Sequence, residues 1–394
     1  MIIRQGFKYR LDTNAVQSAR LRVLCGHARF VWNQALAICN QAAQVEGQFV
    51  PRYESMAKWV TDWKKNSDTE WLKEAYTDNL QQKLKDLDNA WQRYFKKINN
   101  AKRPRFKNKS KSRDSIRFVN FPKYCKLTSR HVKLPAGLGW VKFRQSRAIL
   151  GTIKSCTVGY EGGYWFISFQ TERKIATPKH PSSSMIGVDL GITRLITLSD
   201  GSFVDPVNSL KTHRHILVKA QRALARKVKF SANWQKQKLR INQIHMRIAN
   251  VRRDILHKTS TALSKNHAMI VIEDLKVSNM SRSAKGTMLN PGNHVAAKSG
   301  LNRSILDQGW YEFRRQLTYK QEFRGGEVLV VSAHHTSQTC PACQHVSAEN
   351  RKTQSHFECV KCGFVENADL VGAINIKARG HRVLACGESA LATQ

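Results

Sequence analysis

The chain is 394 residues long and carries 66 Lys and Arg against 28 Asp and Glu, a formal charge of +38. Such a length exceeds one ordinary core and calls for two or three modules. Such a charge calls for a polyanionic partner; a membrane is excluded, since there is no apolar run of ~18 residues and no basic amphipathic helix with a concentrated apolar face, which leaves nucleic acid.

Taken in chain order, Phe7, Tyr9 and Leu11 alternate with polar residues as a strand does, and Asn14 with Gln17 has the form of a capping box opening a helix. Leu21, Leu24, Ala28, Val31 and Ala35 continue that helix at spacings of three and four, and helical patterns run on to about Lys97. Trp32, Tyr53, Trp59, Trp63, Trp71 and Trp91 fall among these apolar positions and read as core more than as platforms for bases. From Lys96 to Arg117 ten Lys or Arg, Lys111 and Arg113 among them, stand against one acid, Asp114, in a basic linker. Runs such as Arg117 to Phe121, Trp140 to Phe143 and Tyr164 to Phe169, with a Gly162-Gly163 turn, predict a small all-β domain. Pro178, Pro181 and three serines then mark a linker.

The second half opens with three short antiparallel strands, Met185 to Leu190, Leu195 to Leu198 and a third after the Asp200-Gly201 turn. Leu217, Ala220, Leu224 and Val228 form one helical stripe and Ile241, Ile244, Ile248, Val251 and Ile255 another, so two helices should pair. Met269 to Glu273 is a buried strand, Ser278 to Gly300 a loop, Ile305 to Phe323 a helix and Val328 to Val331 a further strand, an alternation that predicts an α/β domain. The N-terminus has no continuous apolar stretch of the kind a secretory signal needs, so a cytoplasmic, nucleoid-associated protein is expected.

Of nine cysteines, Cys25, Cys39, Cys125, Cys156 and Cys386 are scattered, while Cys340 with Cys343 and Cys359 with Cys362 form two CxxC pairs fifteen residues apart. That spacing is the one a tetrahedral zinc ribbon uses, and four thiolates leave no open position, so the zinc is structural rather than catalytic. Two carboxylates end otherwise apolar strands, Asp189 after Ile186-Gly187-Val188 and Glu273 after Ile270-Val271-Ile272, where a charge is costly without a cation or strong donors. Asp274 is adjacent, and alternation alone does not choose between it and Glu273. Asp369 heads an apolar helical run, where a helix N-terminus favours its charge. Carboxylates from two strands and one helix have the makings of an RNase H-like site, in which two ions, Mg²⁺ or Mn²⁺, ~3.5 to 4 Å apart drive phosphodiester hydrolysis.

Gly187-Val188-Asp189-Leu190-Gly191, Ile272-Glu273-Asp274-Leu275, Thr336 through Cys343, Cys359-Val360-Lys361-Cys362-Gly363 and Asp369 through Ile376 follow one another in an order that resembles the RuvC-type half of TnpB proteins, transposon-associated relatives of the type V CRISPR effectors. Arg29 to Leu36, Arg252-Arg253-Asp254 and His257-Lys258 extend the resemblance over nearly the whole chain. It implies an RNA-guided DNA endonuclease in which Asp189, Glu273 and Asp369 bind the catalytic metals, Glu273 is the inward carboxylate, and Cys340, Cys343, Cys359 and Cys362 hold zinc. It also implies a multidomain α/β architecture: a β-barrel-like wedge domain from 1–11 and 115–177, a helical recognition domain with its basic linker over 12–114, a RuvC-like nuclease domain from 178–336 and 367–380, the zinc ribbon over 337–366 and a flexible tail over 381–394. The partners implied are a guide RNA from the transposon end and double-stranded DNA next to a short flanking motif. The family's last motif has Asn two residues after the aspartate and Asp two before, where this chain has Val371 and Asn367.

For a guided nuclease the charge has a use, since protein contacts hold the backbones while base pairing reads sequence. Lys102, Arg103, Arg105, Lys107, Arg222, Arg226, Arg252 and Arg253 are the expected phosphate contacts. Two other activities suit part of the pattern, a strand-transfer transposase on the same fold and a guided repressor that does not cut; the presence of all three carboxylates stands against the repressor.

Overall fold

A computed structural model describes residues 1–45, 49–109 and 114–385, and forms two compact units, 1–175 and 176–394. Lys111, Arg113, Cys386 and the last nine residues of the expected tail lie outside the described residues.

In the first unit β1 (Ile2–Asp12) leads into α1 (Ala15–Ala42), α2 (Tyr53–Lys65) and α3 (Thr77–Phe95). The chain then returns through β2 (Ser115–Phe118), a single turn α4 (Phe121–Tyr124), β3 (Lys126–Leu127), β4 (His131–Leu134), β5 (Gly139–Phe143), β6 (Thr152–Glu161) and β7 (Tyr164–Lys174). The seven strands form one antiparallel sheet in the order β2-β6-β7-β1-β5-β4-β3, so β1 sits in its middle although the helices separate it from the rest. Asn14 and Gln17 make the capping box, each side chain accepting from the other's backbone N–H. Beyond it, α1 divides its apolar face by position: Leu21, Leu24 and Ala28 join the core of the sheet, whereas Val31, Ala35 and Leu36 pack with α2 and α3.

The second unit is built on β8 (Met185–Asp189), β9 (Ile196–Leu198), β10 (Phe203–Val204), β11 (Met269–Glu273) and β12 (Glu327–Val331), in the order β10-β9-β8-β11-β12. The first three run antiparallel; β11 and β12 run parallel to β8. Between β10 and β11 lie α5 (Ser209–Ala225) and α6 (Ala232–Asn266); between β11 and β12 lie α7 (Val277–Met280), α8 (Val295–Gln308) and α9 (Trp310–Glu322). A hairpin of β13 (His356–Glu358) and β14 (Val365–Asn367) leads straight into α10 (Ala368–Ala385). Strand alternation assigns the two faces of the central strands. Ile186, Val188, Ile270 and Ile272 pack with Leu256 and Leu263 of α6 and Phe313 and Leu317 of α9, while Val271, Leu329 and Val331 pack with Ile376 of α10. Covered on both sides, these strands read as continuous apolar runs.

Five expectations are corrected. Val228 lies beyond the end of α5 and is 79% exposed, so the α5–α6 pairing rests on Leu217, Ala220 and Leu224 against Ile241 and Ile244. The expected loop from Ser278 holds α7 and the start of α8, and the helix expected over Ile305 to Phe323 is two helices, because Gly309 takes a left-handed φ of 75° between them. The first residues of the expected tail, 381–385, are helical, since α10 continues to Ala385. Finally, the basic run after α3 is no loose linker through its first part: Trp32 Nε1 donates to the Arg105 carbonyl at 3.0 Å, and Asn33 exchanges two hydrogen bonds with the Lys107 backbone at 2.8 and 3.0 Å.

Candidate active site

Asp189 and Glu273 end adjacent parallel strands. The register pairs Ile272 with Val188, so the next step along both strands brings Glu273 level with Asp189, and level residues on parallel neighbours share a face. That face is the one α10 covers, because Gly187 and Val271 alternate with it on the same side. Asp274 points the other way and is paired with Arg314 at 2.8 Å. Register thus distinguishes two carboxylates that periodicity leaves equivalent.

Asp369 comes from the first turn of α10. The helix can lie close because Gly187 has no side chain: a Cβ there would meet the Ala373 carbonyl oxygen at 2.2 Å. One turn after Asp369, Gly372 does the same on the helix, where a Cβ would stand 3.3 Å from Asp189 Oδ2. Asn367 caps this helix, its Oδ1 accepting from the Asp369 N–H at 3.0 Å, so the departure from the family's aspartate keeps an acceptor and removes a charge. Val371, the second departure, is fully buried among Cys340, Phe357, Cys359 and Ala368.

Burial raises the Asp189 carboxyl to about 7, with Glu273 and Asp369 adding to the rise and Arg351 opposing it. Burial also raises Glu273, against the hydroxyl of Thr336, which donates to its Oε1, and the charges of Arg379 and Arg351. Burial that raises two neighbouring carboxyls, with the other acids adding to the rise at Asp189, disfavours their charged forms, a cost that a divalent cation would relieve. Among the described residues the one group of His, Cys, Asp or Glu with all ligand atoms within 4.8 Å of one another is the four cysteines, so the three carboxylates spread more widely. A groove of 490 Å³ opens beside Glu273, lined by Lys276, Asn279, Tyr311 and Arg314 among others.

Cys340 lies 3.6 Å from Cys362 and Cys343 lies 3.6 Å from Cys359, sulfur to sulfur. Each pair is set by a tight turn: Gln344 and Gly363 donate backbone N–H bonds to the carbonyls of Cys340 and Cys359, both at 2.9 Å. The cluster could hold a metal ion, and its core is shared with the first turn of α10. The loop between the two pairs also carries Arg351, 3.7 Å from Asp369. Arg351 escapes a reading of the sequence, since a lone arginine in a ribbon loop has no periodic or spacing signal, and Thr336, though it opens the run to Cys343 that carries the resemblance, is given no role by it.

The expected phosphate contacts divide. Lys102, Arg105, Arg222, Arg226 and Arg253 are exposed. Lys107 is folded back with its Nζ 3.7 Å from the centre of the Trp32 ring, and burial lowers its pKa to about 8. Arg103 is exposed but donates to Asn40 at 3.0 Å and lies over Trp91. Arg252 is turned inward to Asp307 at 3.3 Å, an acid whose side chain is only 4% exposed. Of the aromatic residues named above, Trp71 is 41% exposed, while Trp32 and Trp91 are buried and Tyr53, Trp59 and Trp63 pack against the same helical core.

A model of the OrfB family of IS605 elements, described as "Probable transposase", matches residues 166–284; "Cas12f1-like, TNB domain" matches 310–376 and "Helix-turn-helix domain" matches 1–48. Residues 1–45 here form a strand and one long helix, not a helix-turn-helix. The "Putative RNA-guided DNA endonuclease InsQ" of Escherichia coli (strain K12) is 52% identical over 98% of this chain and 94% of its own length. A "Putative RNA-guided DNA endonuclease" of Streptomyces pristinaespiralis is 33% identical over 98% of this chain and 92% of its own. The "CRISPR-associated endodeoxyribonuclease Cas12f1" of Sulfoacidibacillus thermotolerans is 22% identical over 54% of this chain and 49% of its own.

Proposed function

This chain belongs to the TnpB (OrfB) family, and from that premise we propose that it is an RNA-guided DNA endonuclease in which Asp189, Glu273 and Asp369 hold two divalent cations, Mg²⁺ or Mn²⁺. The observation that carries the reading is the level placement of Asp189 and Glu273 on parallel strands, on the face where the first turn of α10 presents Asp369. When bound, such ions activate water and stabilise the leaving oxygen of a phosphodiester. The strand order β10-β9-β8-β11-β12, an antiparallel meander joined to two parallel strands, supports an RNase H-like, RuvC-type unit over 178–336 and 367–380.

The protein's own groups have separable tasks. Thr336 holds Glu273 by donating to Oε1. Arg351, facing all three acids, offers a guanidinium to a phosphate oxygen entering between them. Cys340, Cys343, Cys359 and Cys362 would hold zinc, a structural cross-link that would fix the ribbon (337–366) and with it Arg351 and the start of α10. The β-rich part (1–11 and 115–177) serves as the wedge domain and the helices (12–114) as the recognition domain, reading a short motif beside the target. The guide RNA comes from the transposon end, and the enzyme works in the cytoplasm, at the nucleoid.

The test is to purify the chain from cells carrying its native flanking DNA, sequence the bound RNA, and supply Mg²⁺ with a plasmid library bearing the matching target beside randomised flanks. Guide-matched double-strand breaks are expected from the wild type, and RNA binding without breaks from Asp189→Ala. Bound RNA with no cleavage by the wild type, or integration products in place of breaks, would overturn the reading.

A further inference from the structure

Between Asp205 and Asp254 the chain has 13 Lys and Arg and no acidic residue, and this stretch is the α5–α6 hairpin. Its closed end, 225–230, is exposed throughout. Phe230 is 62% exposed and takes a left-handed φ of 69°, a conformation that disfavours a bulky side chain. The turn is nonetheless fixed. Gln235 donates to the Phe230 carbonyl at 3.0 Å, and Ser231 caps α6 by accepting from the Trp234 N–H at 3.2 Å. The consequence is an aromatic pair, Phe230 and Trp234, with ring centres 5.4 Å apart. Lys229 lies 5.1 Å from the Phe230 ring and Lys238 4.9 Å from the Trp234 ring. Neither aromatic belongs to any core of the unit.

Building on the reading of the chain as a guided nuclease, we propose that the Phe230–Trp234 tip is a stacking platform for unpaired bases of the guide RNA, with the hairpin's cations along its backbone. Aromatic faces stack bases irrespective of sequence, and adjoining cations neutralise the phosphates between them. Charge rules against a second copy of this chain, since the hairpin would meet another molecule of net charge +38. Position favours RNA over the displaced DNA strand. A strand to be cut must reach Asp189 and Glu273, whereas the tip stands ~37 Å of helix from Leu256, where α6 enters the core beneath those strands.

The experiment measures binding of the RNA that copurifies with the wild-type chain, extracted and end-labelled, to wild type, Phe230→Ala/Trp234→Ala and Phe230→Tyr/Trp234→Phe over a series of salt concentrations. The alanine pair is expected to bind about ten-fold more weakly with the salt slope and melting temperature unchanged, and the aromatic pair to bind as wild type. Ultraviolet crosslinking of the wild-type complex should join Phe230 or Trp234 to a base that is unpaired in the RNA. Equal RNA affinity for the alanine pair, or a crosslink at these residues to the displaced DNA strand alone, overturns the platform while the guided nuclease stands. A wild-type chain that carries no RNA overturns both.

Discussion

At Glu273 one hydroxyl decides how the carboxylate is held. Thr336 Oγ1 is shared between Glu273 Oε1 and the Ala333 carbonyl, in a position that is 4% exposed. A hydrogen bond to a charged acceptor contributes ~1.5–3 kcal/mol, so Thr336→Val is expected to slow guide-directed cleavage roughly ten-fold. Thr336→Ser, which keeps the donor, should cut at close to the wild-type rate, and RNA binding should be the same in all three. Cleavage time courses at saturating target check this, and equal rates for Val and Ser would remove the hydroxyl from the mechanism. Asp189 and Glu273 are legible in the sequence as candidates because a carboxylate at the end of an apolar strand conflicts with its surroundings, and Asp369 because it is an acid at the head of an apolar helical run, where a helix N-terminus favours it. Without the resemblance, Asp274 is separable from Glu273 only through strand register, which depends on Ile270 and Ile272 pairing with residues more than eighty positions earlier. Thr336 and Arg351 carry no such local conflict; only the fold brings them to the acids.

The seat of α10 on β8 is where elements rather than residues set the site. A Cβ at Gly187 would lie 2.2 Å from the Ala373 carbonyl oxygen and 2.7 Å from the Lys377 nitrogen, both backbone atoms that cannot swing aside. Gly187→Ala is therefore expected to cost about 2 kcal/mol of stability by overpacking. It should reduce cleavage beyond the fraction unfolded, because the helix that must retreat carries Asp369. Urea melts with cleavage assays in conditions where the variant is folded measure the two effects separately; a folded variant that cuts at the wild-type rate would show that α10 need not sit so close. At this scale much of the sequence is readable. The capping box at Asn14, the alternation of β1 and the apolar runs of β8 and β11 are local signals, and the structure has them. What the sequence hides is imposed from outside the segment: Val228 continues a helical stripe after the chain has turned, Gly309 breaks a helix whose periodicity runs on across it, and residues 101–109 look like free basic chain until Trp32, Asn33 and Asn40 bind them.

For the molecule as a whole, a charge of +38 does not say how many cations face a nucleic acid. Some are occupied internally. Arg252 donates to the Leu306 carbonyl at 3.0 Å and pairs with buried Asp307, which in turn accepts from Ser209 and the Leu210 N–H at the start of α5. Others stand free on the surface, Arg222 and Arg226 among them, lining a groove of 800 Å³ with Lys211, Arg214 and Lys219. Each phosphate neutralised releases counterions, so the log of the observed RNA affinity falls by ~0.7–0.9 per log unit of salt for each such contact. Arg222→Gln/Arg226→Gln is thus expected to flatten the salt slope by roughly 1.5 units with little change in melting temperature. Arg252→Gln should do the reverse, leaving the slope alone and losing roughly 2 kcal/mol of stability, because Asp307 stays buried without its cation. Filter binding at five salt concentrations beside thermal melts of the three proteins decides it. A slope that flattens equally in both variants would mean that Arg252 leaves Asp307 when RNA binds, and that the hairpin base rearranges in the complex.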